Sequence, residues 1–534
     1  MRNYMKQAGT DIGDLGPDYF PRVWDAHYIS KNQQAFKDML EPYIRSGEMQ
    51  GSAEQLIRNL TSRDGNEFGI ETHVPGMQNK KSRVLSFIKP GDAAQFLKKD
   101  LASTLNDYLT QATRRAEWDR RLGWDAKAGQ TKLNTLLIDA KSEGATDAQL
   151  EMTREYLKGI DGTLGDTINP DVRRVMGNMI VYQNVRLLPL AIFSMAVDPM
   201  GQMVRGGTLA QSYATLVRGI KSIPESWGGK VKSDEATELA ELVGVVDSAV
   251  MNTVMGDIYT QGMVGGTARM INDKFFKLNL VEGMSRAFRI GASQAAMSFM
   301  LKHSTSVKNA HSVRWMAELG IQAGDIKMAP NSSRIALTQA EGLSEAQEQR
   351  VHAAINQWVD GAMLRPDAAD KPIWMNDPRF ALISHLKQFV FAFQKTILAR
   401  IAHEIRHGNY SPMMVLASYV PIMMAVDTTK GLLQSGGEVP EWKKGWGPAE
   451  YTGYAMERAG LFGVGQFGLD MAQESEYGGF APIGVAGPTI EQLTDVMQVM
   501  GGDKQFGSVL LNSMPANALY RNILDQDVEA RGVV

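Results

Sequence analysis

DPRFALISHLKQFVFAFQKTILARIAHEIRHGNYSPMMVLASYVPIMMAVDTTKGLL, residues 377–433, decides how the rest of the chain is read. Its first half predicts one long amphipathic helix. Asp377 is a good N-cap, and Pro378 follows at the first helical position, where a missing N–H costs nothing. Leu382, Leu386, Phe389, Phe393 and Ile397 recur at helical spacing, flanked by Ile383, Val390 and Ile401. Lys387, Lys395, Arg400 and Arg406 decorate the other faces, and Gly408 with Asn409 closes the helix. From Gly408 to Val426 no side chain is charged. That run approaches the roughly 20 apolar residues a bilayer span needs, yet it contains Pro412 and Pro421. It reads either as a core helix buried on all sides or as a segment that enters a membrane. The side chains expected to face a membrane or a partner are Phe389, Phe393, Met413, Met414, Met423 and Met424, the methionines offering a soft, adaptable surface.

Outward from this stretch, 534 residues leave room for several domains or for one long helical assembly. With 44% hydrophobic and 22% charged residues the chain is globular in character. A net charge of -3 gives no overall attraction to nucleic acid, so contact with DNA requires a local basic patch. The absence of cysteine excludes disulfides, thiolate zinc sites and cysteine nucleophiles. The opening MRNYMKQAGTDIGDLG has no apolar core, so no secretory signal is expected.

Nowhere do β-branched residues alternate over a sustained run. The expected fold is all-α, an elongated multi-helix assembly of long amphipathic helices with little or no β. Four segments are drawn: 1–90, irregular with short helices; 91–165, helical; 166–433, central and apolar; and 434–534, rich in glycine and proline. Helices are expected over Gln33–Ser46, from Asp92 to about Leu122, over about 129–142 and 147–160, from Pro170, and over about 208–222, 233–257 and 272–303. Thr146 with Gln149 and Ser344 with Gln347 match capping boxes. In the 272–303 helix, Phe275, Phe276, Phe288 and Met297 are expected to face the core, with Arg286 and Arg289 near its edge. The uncharged run Leu187–Val197 is too short to span a bilayer and contains Pro189, which predicts a kinked core helix. Arg114, Arg115, Arg120 and Arg121 alternate with Glu117 and Asp119, as in local i,i+4 pairing on an exposed face.

His403-Glu404-Ile405-Arg406-His407 matches H-E-x-x-H, in which two histidines one turn apart bind zinc and the glutamate polarises a water. Arg406 between the ligands and the helix end at Gly408 count against it, and a basic helix end is the competing reading. A zinc metallopeptidase using His403, Glu404 and His407 therefore stands as an alternative, beside a leading expectation of no enzyme, no catalytic residue and no cofactor. The chain has neither a P-loop G-x-x-x-x-G-K-[ST] nor a nucleophile elbow G-x-S-x-G. Gly463, Gly465 and Gly468 form G-x-G-x-x-G without a predicted strand before them, so close packing or a turn explains them better.

Several blocks together resemble one family. They are QNVRLLPLAIFSMAVDPMGQMVRGG (183–207), DKFFKLNLVEGMSRAFRIGASQAAMSFMLKH (273–303), LRPDAADKPIWMNDPRFALISHLKQFVFAFQKTILAR (364–400) and ERAGLFGVGQFGLD (457–470). These look like pieces of the C-terminal regions of giant tailed-phage virion proteins, the internal virion or DNA-ejection proteins and the related polyvalent proteins. YFPRVWD (19–25) and TLNDYLTQATRRAEWDRRLG (104–123) resemble segments found upstream in the same giants. The resemblance implies an all-helical protein of the virion interior that reaches the host cell envelope on ejection. There it would self-associate into a homo-oligomer and help form a conduit for the genome. Implied partners are other virion core, portal or tail proteins, the host membrane and phage DNA. A cytoplasmic helical scaffold or polyvalent-protein fragment is the remaining alternative.

Overall fold

The computed structural model describes residues 2–10, 24–47, 52–57, 89–161, 170–227, 234–246, 266–305, 309–364, 371–385, 388–435, 437–440 and 443–458, apart from single positions at 55, 98, 100 and 126. Among them the protein is all-α, and the single sheet is a two-stranded hairpin, Trp124–Asp125 with Gln130–Thr131. The chain divides into two compact units, each built from separated segments. One holds Met1–Met179, Thr260–Ile271 and Ile373–Ala381; the other holds the remainder. The first two segments drawn from the sequence thus fall in one unit, and the central segment is shared between both.

In the first unit, helix Gln33–Arg45 buries Phe36 and Leu40 beside Trp24, Ile29 and Phe96. Phe36 meets Trp24 at 5.7 Å and Phe96 at 4.9 Å between ring centroids, both edge-on, the arrangement favoured by aromatic quadrupoles. The expected helix from Asp92 does not start there. Pro90 opens a short turn, Leu97 is extended, and the long helix runs Leu101–Leu122. The reason is tertiary: Leu97 forms a β-bridge with Trp24, and Asp92 accepts a hydrogen bond from Tyr43 at 2.8 Å. The arginine-rich end pairs locally, Arg115 with Asp119 and Arg120 and Arg121 with Glu117. Both oxygens of the Thr146–Gln149 pair reach the opposite residue's backbone N–H, so that capping box forms.

The second unit is organised on helix Val281–Ser304, which buries Met284, Phe288, Ile290, Met297, Phe299 and Met300. Helix Leu209–Trp227 lies closest against it. The approach depends on glycine: a Cβ at Gly219 would fall 2.2 Å from the Phe288 ring, and one at Gly291 would fall 2.5 Å from the Thr215 hydroxyl. Helix Glu345–Ala362, with a complete Ser344–Gln347 capping box, closes the core through Val351, Ile355, Trp358 and Val359.

Three expectations need correction here. The single helix over 272–303 is two, Gly266–Leu278 and Val281–Ser304. Leu280 sits between them at φ 67, and Asn279 bridges the break, donating to the Leu188 carbonyl and accepting from the Val281 N–H. Arg289 is buried, not at an edge; it donates to the Val245 carbonyl at 3.0 Å and to Asp360 at 2.8 Å. Helix Glu235–Leu242 is shorter than expected, ending at Gly244 in the left-handed region. At Pro189 the helix does break, and its two arms turn by 79°.

Candidate functional site

The stretch 377–433 is not one helix followed by another. Ile373–Asn376 ends before Asp377, whose carboxylate takes both the backbone and the guanidinium of Arg379 in a single turn, Pro378–Phe380. Short helices Ala381–Ser384 and Gln388–Phe393 follow, then a π-helical turn Gln394–Leu398 and helix Ala399–Arg406. The expected long helix is thus interrupted at His385 and loosened at Gln394. The interruption has a cause visible in the packing. Ser384, His385 and Gln388 are buried, and a buried polar group must find a partner. His385 Nε2 lies 3.0 Å from the Asn184 side-chain oxygen, Asn184 donates to Asn272 at 2.9 Å, and Lys371 donates to Gln388 at 3.1 Å. Sequence reading passed over this polar network. Its signal was there in the polar pairs Gln183-Asn184 and Ser384-His385, each set inside an apolar run.

A short turn at Ser411–Met413 leads into helix Met414–Gln434, and the two together form a helix of 23 residues, Ser411–Leu433, long and apolar enough to cross a membrane. Val415, Tyr419, Met423 and Val426 form its inner stripe at helical spacing. Val415, Tyr419 and Met423 pack on Val197, Met200, Met203 and Val204 of segment Met195–Arg205, and on Phe393, Ile397 and Ile401. The opposite stripe, Met414, Ala417, Pro421 and Ala425, is exposed and carries no charge. Only 28% of the helix's most apolar window is buried. Its acid, Asp427, is ion-paired to Lys443, whose buried ammonium lies 5.1 Å from the Tyr454 ring centroid and 6.0 Å from those of Trp446 and Tyr451.

The six side chains expected to face a membrane or partner therefore separate. Met413 and Met414 are 47% and 55% exposed. Met424 is half-buried at the edge of the core. Phe393 and Met423 lie inside that core, turned to the chain's own interior. The Phe389 side chain lies outside the described residues, as does the glycine motif 463–468.

The H-E-x-x-H segment is folded for another use. Glu404 is 1% exposed, and both its oxygens are taken. One accepts from Trp315 Nε1 at 3.1 Å and pairs with Arg400 at 2.7 Å; the other accepts from Arg314 at 2.5 Å and from Asn409 at 2.9 Å. Burial pushes its pKa up, but the hydrogen bonds from Asn409 and Trp315 and the charges of Arg400 and Arg314 outweigh that and hold it below the usual glutamate value. A carboxylate so engaged has no lone pair left to polarise a water. His407 Nδ1 donates to the His403 carbonyl at 2.8 Å, and the two rings lie tilted by 45° with centroids 4.4 Å apart. His403 Nε2 lies 3.6 Å from Glu318. Among the described residues no three carboxylate or imidazole groups come together in an arrangement that would hold a metal.

The one surface here with a distinctive chemistry is thus the uncharged outer face of Ser411–Leu433. No family model, no curated protein and no solved structure matches this chain.

Proposed function

We propose that this chain is an internal virion protein of a tailed phage, non-enzymatic, which leaves the particle during ejection and associates with copies of itself at the host envelope. In this reading Ser411–Leu433 enters the lipid and helps line a conduit for the genome. Other core, portal or tail proteins would surround the chain inside the particle, and phage DNA would pass beside it. Two things support the reading: the ordered resemblance of the blocks quoted above, and the physical character of this one helix. The observation that carries it is the helix's two-sidedness. Its inner stripe holds it to the protein, while its outer stripe offers apolar surface that water penalises by roughly 25 cal/mol for each Å² left exposed. Lipid or a sister copy removes that penalty. The ion pair of Asp427 with Lys443 spares the helix an isolated carboxylate, which would be costly in hydrocarbon.

Because the chain has no cysteine, a single thiol introduced at Met414→Cys can carry an environment-sensitive fluorophore. With liposomes of phosphatidylethanolamine and phosphatidylglycerol, the labelled chain is expected to float with the vesicles and its emission to shift to the blue. Particle proteomics should find the chain in purified virions. A chain that stays monomeric in sedimentation, remains below the vesicles and is missing from particles overturns the proposal.

A further inference from the structure

After Leu433 the chain turns back on the apolar helix and is fastened there by a buried cation. Gly437, in the left-handed region, donates to the Leu432 carbonyl at 2.7 Å and reverses the chain. The return meets the helix at Gly431, where a Cβ would fall 3.2 Å from the Pro440 ring and 3.8 Å from the Lys443 ammonium. One turn earlier stands Asp427, the one acid between Ser411 and Leu433, and Lys443 pairs with it. The chain then enters helix Pro448–Arg458, where Glu450 reaches back to accept from the Gly447 N–H at 3.0 Å. This helix packs on Met414–Gln434, with Ala455 buried in the same core as Val415, Tyr419 and Met423.

We propose that Lys443 is a latch: it fastens helix Pro448–Arg458 to helix Ser411–Leu433 and keeps the latter docked until the lysine is withdrawn. The pair is of the buried kind, the Lys443 side chain being 2% exposed and that of Asp427 18%. Exposed ion pairs do little to hold two elements together, whereas removing one partner of a buried pair leaves a bare charge in an apolar place. Rings complete the hold. The ammonium lies 5.1 Å from the Tyr454 centroid and 6.0 Å from those of Trp446 and Tyr451. Trp446 in turn meets Tyr451 at 5.4 Å and Tyr454 at 5.3 Å, both edge-on. The negative faces of aromatic rings attract a cation, most strongly where water is excluded. The carboxylate belongs to the apolar helix and the three rings to the returning chain, so the ammonium is held from both sides of the contact. The latch is regional. Ser411–Leu433 makes one contact stripe with the chain, while Val281–Ser304 is buried along most of its length, so the first can open without the second.

What the released helix meets rests on the membrane reading above, but the latch itself needs no lipid, so the two are tested apart. Hydrogen exchange is followed in solution on peptides covering 411–433, 443–458 and 281–304. In Lys443→Met the first two are expected to exchange at least about tenfold faster, because Asp427 is left without its cation, while the third keeps its protection. Asp427→Asn should loosen the same two peptides from the other side. Asp427→Leu combined with Lys443→Met leaves no charge behind and should recover most of the lost protection, as apolar replacements of buried pairs do. Unchanged exchange in Lys443→Met, an equal loss in 281–304, or a combined variant as loose as the single ones overturns the latch. Regional release in a chain that ignores vesicles leaves the latch standing and removes the membrane role.

Discussion

Helices Val281–Ser304 and Met414–Gln434 have similar lengths and opposite fates. The first carries Glu282, Arg286, Arg289, Lys302 and His303, yet it is buried along most of its length. The second is uncharged from its start to Val426, yet one whole stripe faces out. Apolar content alone therefore does not decide which helix becomes the core. What distinguishes the buried one is its small residues. Gly291, Ala292, Ser293, Ala295 and Ala296 let Leu209–Trp227 and Glu345–Ala362 approach closely, and close approach gives dispersion contacts to every atom on the surface. Arg289 can be buried there because a carbonyl and a carboxylate meet it. The more apolar helix has bulky methionines and Pro421 within its length, with Pro412 in the turn before it, and it makes one contact stripe with the chain.

The contrast is broken most severely by filling the space that glycine leaves. Gly291→Leu should destabilise the second unit by about 3 kcal/mol or more, since overpacking is costly and the nearest atoms belong to a helix that must move. Thermal or urea unfolding would register it; an unchanged midpoint would mean that the helices are not closely packed. Glu404→Gln should cost about 3 kcal/mol by leaving Arg314 and Arg400 without their shared carboxylate, while His403→Ala should cost well under 1 kcal/mol. Equal effects of the two changes would contradict the ion-pair role given to Glu404.

Along the apolar helix itself, the inner and outer stripes should respond differently. Met423→Ala is expected to cost about 2 kcal/mol, as for other buried methionines, and Met414→Ala less than about 0.5 kcal/mol. Similar values for both would mean that the helix is either fully buried or fully free. The gentlest test uses pH. Asp198, raised by burial to about 7, contributes stability that is complete below the ordinary carboxylate value of 3.8 and lost as pH rises through about 7. His303 has the opposite sign. Burial, aided by Lys302, lowers it from 6.5 to about 4, so its contribution is complete above 6.5 and lost as pH falls towards 4. Its neutral ring is wedged against Phe299 and Trp315 and bonds to Ser312. The two slopes oppose each other in nearly the same window, so global stability should change little between pH 4 and 6.5. Removing one should reveal the other: stability should rise with pH in Asp198→Asn and fall with pH in His303→Gln.

Much of this was legible from residue order. The all-helical class follows from the 3.6-residue recurrence of apolar side chains and the lack of alternation, and it stands in the structure. The capping boxes at Thr146 and Ser344 formed because their bonds span only three residues and need no distant partner. The kink at Pro189 is likewise local. What failed was continuity. The helix expected from Asp377 onward is broken because His385 answers to Asn184, which lies 201 positions away. The helix expected from Asp92 is broken because Leu97 answers to Trp24. Nothing within a turn or two of either residue announces those partners.

The candidate surface divides in the same way. Sequence alone determined that residues 408–426 carry no charge and that the run holds Met413, Met414, Met423 and Met424, because composition needs no fold. It also singled out Glu404, though for the wrong chemistry. Only the tertiary structure decided that Met423 and Phe393 point inward while Met413 and Met414 point outward, and that Glu404 serves two arginines. Local pattern fixes which faces a helix has, and the identity of what lies against each face depends on contacts between residues far apart in the chain.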